Sequence, residues 1–177
     1  MILNRQSLLA AAPIKNMLTT KEREHGVSYG LAEAGYDIRI KQTVRFYPKP
    51  AAGYGEGPKV WVETPPMRGG PITNGRFCIA STVEEFQMPQ DLVAIVHDKS
   101  TWARQGLSVF NTVIEPGWHG FLTLELVFHS DQPIEIPAGA GIAQVIFHKV
   151  TDIAQYEGKY QNQEDRPVES QWDKDHG

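Results

Sequence analysis

The chain of 177 residues has one cysteine, Cys78, so no intrachain disulfide can form and a reducing compartment is expected. It lacks a run of apolar residues long enough to span a bilayer. The first residues, "MILNRQSLLAAAPIK", have neither a charged start nor a long apolar centre, so they do not read as a secretory leader. It also lacks a basic excess. The net charge of −4 gives no electrostatic reason to expect nucleic-acid or membrane-surface binding. A cytoplasmic protein is expected.

Several chemistries are missing as well. There is no phosphate loop of the G-x-x-x-x-G-K-[ST] kind and no G-x-S-x-G elbow. "GYGEG" is no dinucleotide fingerprint, because its glycines are misplaced and no strand–helix unit surrounds them. There is no H-E-x-x-H, no cysteine pair and no P-C-x-x-C signature, so no zinc site is expected. Six scattered histidines do not change this.

Hydrophobic residues make up 41% of the chain, enough for one domain with a substantial core. "NRQSLLAAA" predicts a short N-terminal helix capped near Asn4 or Ser7, and "TTKEREHG" a second one. In "YDIRIKQTVRFYP", Tyr36, Ile38 and Ile40 alternate with Asp37, Arg39 and Lys41, which predicts a half-buried strand. Residues 48–75 are rich in proline and glycine and read as a long loop insertion around a short strand, "KVWVE". Beyond them come "RFCIAST", "DLVAIVH", "LSVFNTVI", "FLTLELVFH", "PIEIP" and "GIAQVIFHKV", short strands separated by turns. This spacing predicts an all-β sandwich or barrel. "DKSTWARQG" has room for one helical turn. Residues 1–163 read as a single β domain and 164–177 as a polar C-terminal tail.

Four stretches hold candidate chemistry. In "FLTLELVF", Leu122, Leu124, Leu126 and Phe128 share one face, and Phe121, Thr123, Glu125 and Val127 share the other. Both faces are apolar enough to be covered. Desolvation of Glu125 would raise its pKa, which suits a group that must take and return a proton. The pattern equally admits a carboxylate bonded to backbone amides or paired with an arginine. "KSTWARQG" gathers Lys99, Ser100, Thr101 and Arg104, a set able to hold phosphate oxygens or to form a solvated polar loop. "YEGKYQNQ" interleaves Tyr156, Lys159, Tyr160 and Gln163, which could stack on a base, meet a phosphate and read a base edge, or lie on a plain surface strand. In "PGWHG", Trp118 follows a Pro-Gly turn, to stack on a sugar or to cover the core.

Together these stretches resemble the dCTP deaminase family of the trimeric dCTP deaminase and dUTPase superfamily. "AGYDIRI", "KSTWARQGL", "IEPGWHGFLTLEL" and "GAGIAQVIF" look like its successive motifs, in order, and "GKYQNQ" is similar to a C-terminal motif that the deaminases have and dUTPases lack. The resemblance covers roughly Ala34 to Gln163, apart from 48–75. It implies an all-β, distorted jelly-roll subunit (dUTPase-like, β-clip) with a short N-terminal helix and few helical turns. It implies a homotrimer with active sites at subunit interfaces. It also implies a pyrimidine deoxynucleoside triphosphate bound with Mg²⁺, the metal held through the triphosphate and not by the protein. Position by position, Glu125 takes the place of the general acid/base. Lys99, Ser100 and Arg104, with Thr101 in the same motif, fall where the triphosphate is held and the catalytic site ordered. Trp118 falls beside the deoxyribose, and Gln144 on a phosphate-contacting glutamine. Lys159, Tyr160 and Gln163 fall in a segment that folds over the nucleotide. Backbone groups near Asn111 and Thr112 would read the base together with Gln163.

Two positions depart from the family pattern. Glu115 stands where dUTPases have an aspartate that positions water and sugar, and Val113 where many bacterial deaminases have an arginine. An added methylene misplaces a water-positioning carboxylate. Hydrolytic deamination of dCTP is therefore expected ahead of dUTP hydrolysis. The alternatives are a dUTPase or bifunctional deaminase–pyrophosphatase, a modified pyrimidine substrate, and a non-catalytic nucleotide-binding regulatory protein.

Overall fold

The computed structural model describes residues 1–50, 55–63 and 72–172. Fourteen strands and two short helices follow one another as β1 (Ile2–Leu3), α1 (Arg5–Ala11), β2 (Lys21–Glu24), β3 (Val27–Leu31), β4 (Tyr36–Arg39), β5 (Val44–Tyr47), β6 (Lys59–Val62), β7 (Ile72–Asn74), β8 (Phe77–Gln87), β9 (Leu92–Asp98), α2 (Ser100–Ala103), β10 (Leu107–Val109), β11 (Val113–Ile114), β12 (His119–Phe128), β13 (Ile134–Ile136) and β14 (Gly141–Lys149). Three sheets result: a seven-stranded one in the order β11-β9-β14-β4-β3-β2 with β1 on β14, a three-stranded one, β10-β12-β8, and a four-stranded one, β13-β5-β6-β7. Every pairing among them is antiparallel. Their inner faces share one core. Phe46 of β5 and Phe128 of β12 pack at 5.2 Å between ring centroids, and Tyr36, Ile38, Phe86 and Phe147 are buried with them.

The N-terminal helix forms where the sequence places it, with Asn4 as its N-cap and the Asn4 backbone N–H donating to Ser7 Oγ at 3.1 Å. "TTKEREHG" is not helical. Lys21–Glu24 pairs with β3 in a hairpin whose two-residue turn, His25-Gly26, takes positive φ at both positions (52° and 75°), as a twisted hairpin requires. The stretch 36–47 is two strands in different sheets, because Gln42 is buried at the bend and exchanges hydrogen bonds with Ser81. "LSVFNTVI" likewise divides into β10 and β11 on separate sheets. Within 48–75, Ile72–Asn74 pairs with the expected strand at Lys59–Val62, so this part is a hairpin and not loop; residues 51–54 and 64–71 lie outside the described residues.

Cys78 is buried, and burial pushes its thiol up to about 12, so it is not a thiolate nucleophile. Among the described residues no helix is long and apolar enough to cross a membrane.

Candidate active site

The chemistry gathers on β12, where its ladder with β8 is interrupted. Phe121 faces Glu85 but Thr123 faces Ser81, so the β8 segment 82–84 projects out of register. Leu122 N–H donates to Thr82 Oγ1 at 3.0 Å in place of a ladder bond. Just before this point the turn Glu115-Pro116-Gly117-Trp118 enters β12. Gly117 has φ 73°, and Trp118 N–H donates to Glu115 O at 3.1 Å, the signature of a turn with glycine at its third position.

The outer face of β12 is covered by the C-terminal segment of the same chain. Gly120 bridges Gln163 in parallel, and Phe121 N–H donates to Gln163 O at 3.1 Å. The approach is close: a Cβ on Gly120 would lie 2.5 Å from Gln163 N. Trp118 Nε1 donates to Tyr160 O at 2.7 Å, while its buried ring packs on Phe86 at 6.0 Å. Trp118 covers the core, as one of its two sequence readings has it, and it also lines the cavity described next. Residues 164–172 continue over the body, with Val168 N–H donating to Thr123 Oγ1 at 3.0 Å and Gln171 N–H to the Tyr160 hydroxyl at 3.1 Å. The last five residues, 173–177, lie outside the described part.

β12, the 112–118 turn and this C-terminal segment enclose a cavity of about 590 Å³. Glu125 and Glu115 both face it, with Thr112, Trp118, Tyr156, Tyr160 and Gln163. Glu125 is half-buried, and burial pushes its carboxyl above the ordinary glutamate range. No described cation pairs with it, so the arginine-paired reading of this glutamate does not hold. Glu115 is exposed at the first position of its turn. Sequence reasoning missed Thr123 and the lining made by Val168, Glu169 and Ser170. Thr123 had a signal: it lies two residues before Glu125, hence on the same face.

The other candidates lie elsewhere. Asn111, Lys159, Gln144 and all four residues of the "KSTWARQG" set are absent from the cavity wall. Trp102 roots α2 by donating from Nε1 to Gly141 O at 2.7 Å, leaving Ser100, Thr101 and Arg104 exposed. Among the described residues none pairs with the Arg104 guanidinium. Lys99 is different. Its ammonium meets Asp37 Oδ2 at 2.5 Å, and Asp37, only 2% exposed, also accepts from Ser28 Oγ at 3.1 Å and from Gln144 Nε2 at 3.3 Å. Lys99 and Gln144, read from sequence as phosphate ligands, are joined here through a buried carboxylate. Lys159 bonds the backbone carbonyl of Gln171.

The cavity wall therefore holds three glutamates, Glu115, Glu125 and Glu169, and no lysine or arginine. One chain places a desolvated carboxylate, aromatic walls and an amide side chain in one place, and a cationic, hydroxyl-bearing turn in another.

A family model described as dCTP deaminase-like matches residues 8–150. The dCTP deaminase of Campylobacter hominis is 38% identical over 146 residues, covering 77% of this chain and 76% of that protein. The dCTP deaminase of Acidiphilium cryptum is 31% identical over 167 residues, covering 90% and 91%. Among solved structures, the crystal structure of 2'-deoxycytidine 5'-triphosphate deaminase from Agrobacterium tumefaciens superposes with a TM-score of 0.54 at 19% identity. That match covers 84% of this chain and 48% of that one, and it is a likeness of fold.

Proposed function

The chain belongs to the dCTP deaminase-like family, and from that membership we propose that it hydrolyses dCTP to dUTP and ammonia with Glu125 as the proton-transfer group. The observation that carries this reading is the placement of Glu125: half-buried, without a cation partner, its carboxyl raised by desolvation, in a cavity that also holds Trp118, Tyr160 and Gln163. A carboxylate of this kind takes and returns a proton within one turnover. In the proposed path Glu125 removes a proton from water as its oxygen adds to C4 of cytosine, and the proton passes to N3. The adduct carries a hydroxyl and an amine on C4. Glu125 then takes the hydroxyl proton and delivers it to the amine. The C4–N bond breaks, ammonia leaves and the C4 carbonyl of uracil forms.

The triphosphate needs positive charge that this cavity lacks. We assign that role to the α2 turn of a second copy in a homotrimer, bringing Ser100 and Arg104 to the Glu125 cavity. A cavity wall whose charged residues are all glutamates, and the unpaired, exposed Arg104, support the assignment. In this reading Mg²⁺ would be carried by the triphosphate oxygens; among the described residues no group of three or more His, Cys, Asp or Glu is arranged to hold a metal ion. A cytoplasmic setting accords with the single cysteine.

Glu115 shares the cavity wall with Glu125, which is the observation behind the bifunctional alternative. One assay separates the readings. Wild-type protein with Mg²⁺ is given dCTP and dUTP in turn. Ammonia and dUTP from the first, with no pyrophosphate from the second, is the expected result; pyrophosphate and dUMP would establish the alternative.

A further inference from the structure

We infer that Thr123 is a positioning residue that makes the cavity read cytosine in preference to uracil, by fixing which way the Gln163 amide faces. The inference rests on the deaminase reading and deepens it. Substrate and product of that reaction share sugar and triphosphate, so only the base edge tells them apart.

Thr123 is 6% exposed, on the same face of β12 as Glu125. Its Oγ1 has two polar neighbours, Val168 N at 3.0 Å and Gln163 Oε1 at 3.2 Å. A backbone N–H can only donate, so Val168 occupies an acceptor position of the hydroxyl. The one hydroxyl proton is left for Gln163, and it requires the amide oxygen there. With the amide reversed, Nε2 would also donate to Oγ1 and the hydroxyl proton would be buried without an acceptor. The backbone of Gln163 has no freedom to compensate, being bonded to Phe121 N–H and pressed against Gly120. The Nε2 group, with its two N–H donors, is thereby directed away from Thr123, and among the described residues none accepts from it.

Gln163 and Glu125 both line the cavity, and in this inference the Nε2 donors are the groups that meet the base edge. Cytosine presents adjacent acceptors at N3 and O2. Uracil carries a hydrogen on N3, which opposes an N–H donor. An amide held with its donors toward the base therefore favours bound cytosine until N3 takes up its proton, and hastens product release after it. An amide free to turn would offer uracil its oxygen instead.

The test measures equilibrium binding of dCTP and dUTP, each with Mg²⁺, to the full-length protein in a Glu125→Gln background that prevents turnover. Thr123→Val keeps the shape and removes the hydroxyl. It is expected to shrink the dCTP-over-dUTP preference about tenfold, and Thr123→Ser is expected to retain it. Gln163→Glu replaces the donors by acceptors and is expected to move the same ratio toward dUTP, any added repulsion of phosphate cancelling between the two nucleotides. Equal weakening of both nucleotides in Thr123→Val would show only a structural role and would overturn the inference. If Thr123→Val does not fold, an unmoved ratio in Gln163→Glu overturns it. Ammonia release by the wild type is scored separately. Its absence defeats the deaminase reading, whereas ammonia release with an unmoved ratio defeats this inference alone.

Discussion

Lys99 and Asp37 meet at 2.5 Å across 62 positions of sequence, joining the start of the α2 turn to the middle of β4. The carboxylate side chain is 3% exposed and the lysine side chain 11%. Breaking a buried pair by removing one partner costs far more than removing both, because it strands a charge. Lys99→Met is therefore expected to lose about 3–5 kcal/mol of stability. Adding Asp37→Asn should recover part of that loss. Urea unfolding of both single variants and the double variant checks the coupling, and a double-variant loss equal to the sum of the two single losses would show that the residues act independently.

The pH dependence follows from Glu125. A base must be ionised to accept a proton, and burial raises this carboxyl. As pH falls, kcat/KM for dCTP is expected to decline with a midpoint above the roughly 4.3 of an unperturbed glutamate. A pH–rate profile in which that limb sits at or below the ordinary value would remove Glu125 from the role.

The same shift has a consequence for stability. A carboxyl whose pKa is raised on folding favours the folded state below its unfolded pKa, and that contribution is lost as pH rises through the folded value. At neutral pH the ionised group is held in an unfavourable place. Glu125→Gln is thus expected to melt above wild type near neutrality, with the advantage disappearing on acidification below the ordinary glutamate range. Thermal melts at several pH values decide the sign.

Gly120 makes room for the C-terminal segment, since a Cβ there would stand 2.5 Å from Gln163 N and φ is 131°. Gly120→Ala should undock residues 160–171 and raise KM for the nucleotide. Hydrogen exchange checks it at the Phe121 and Asn162 amides, which are bonded across this junction in the wild type. Unchanged protection there would contradict the account.

A cavity completed by a second copy predicts complementation. Glu125→Gln and Arg104→Ala are each expected to be inactive as homotrimers. Subunits mixed at equal amounts and reassembled should regain activity at about a quarter of the sites, those pairing an intact Glu125 with an intact Arg104 from a neighbour. No recovery would place both residues of each site in one chain.

Much of this was legible in the sequence, for physical reasons visible in particular residues. Glu125 stood out because a carboxylate broke an otherwise apolar strand, and the β12 alternation places it where that pattern implies. The hairpin at Lys21–Leu31 was not legible as one. Its polar strand KERE is exposed along its whole length and carries no period, and only the His25-Gly26 turn marks it. The buried state of Asp37 was hidden for a different reason. Alternation put it on the outer face of its strand, and the partner that permits burial, Lys99, lies far away in sequence. The Thr123 junction was hidden because it depends on where a polar C-terminal segment docks, which no local pattern specifies.

The central claim is that Glu125 moves protons in the deamination of dCTP. The most direct measurement is ammonia and dUTP release from dCTP with Mg²⁺, comparing wild type with Glu125→Gln, with nucleotide binding to both measured alongside. The account predicts stoichiometric ammonia and dUTP from the wild type, and from the variant retained dCTP binding with a rate lower by roughly two or more orders of magnitude. No ammonia from the wild type, or full activity in Glu125→Gln, would contradict it.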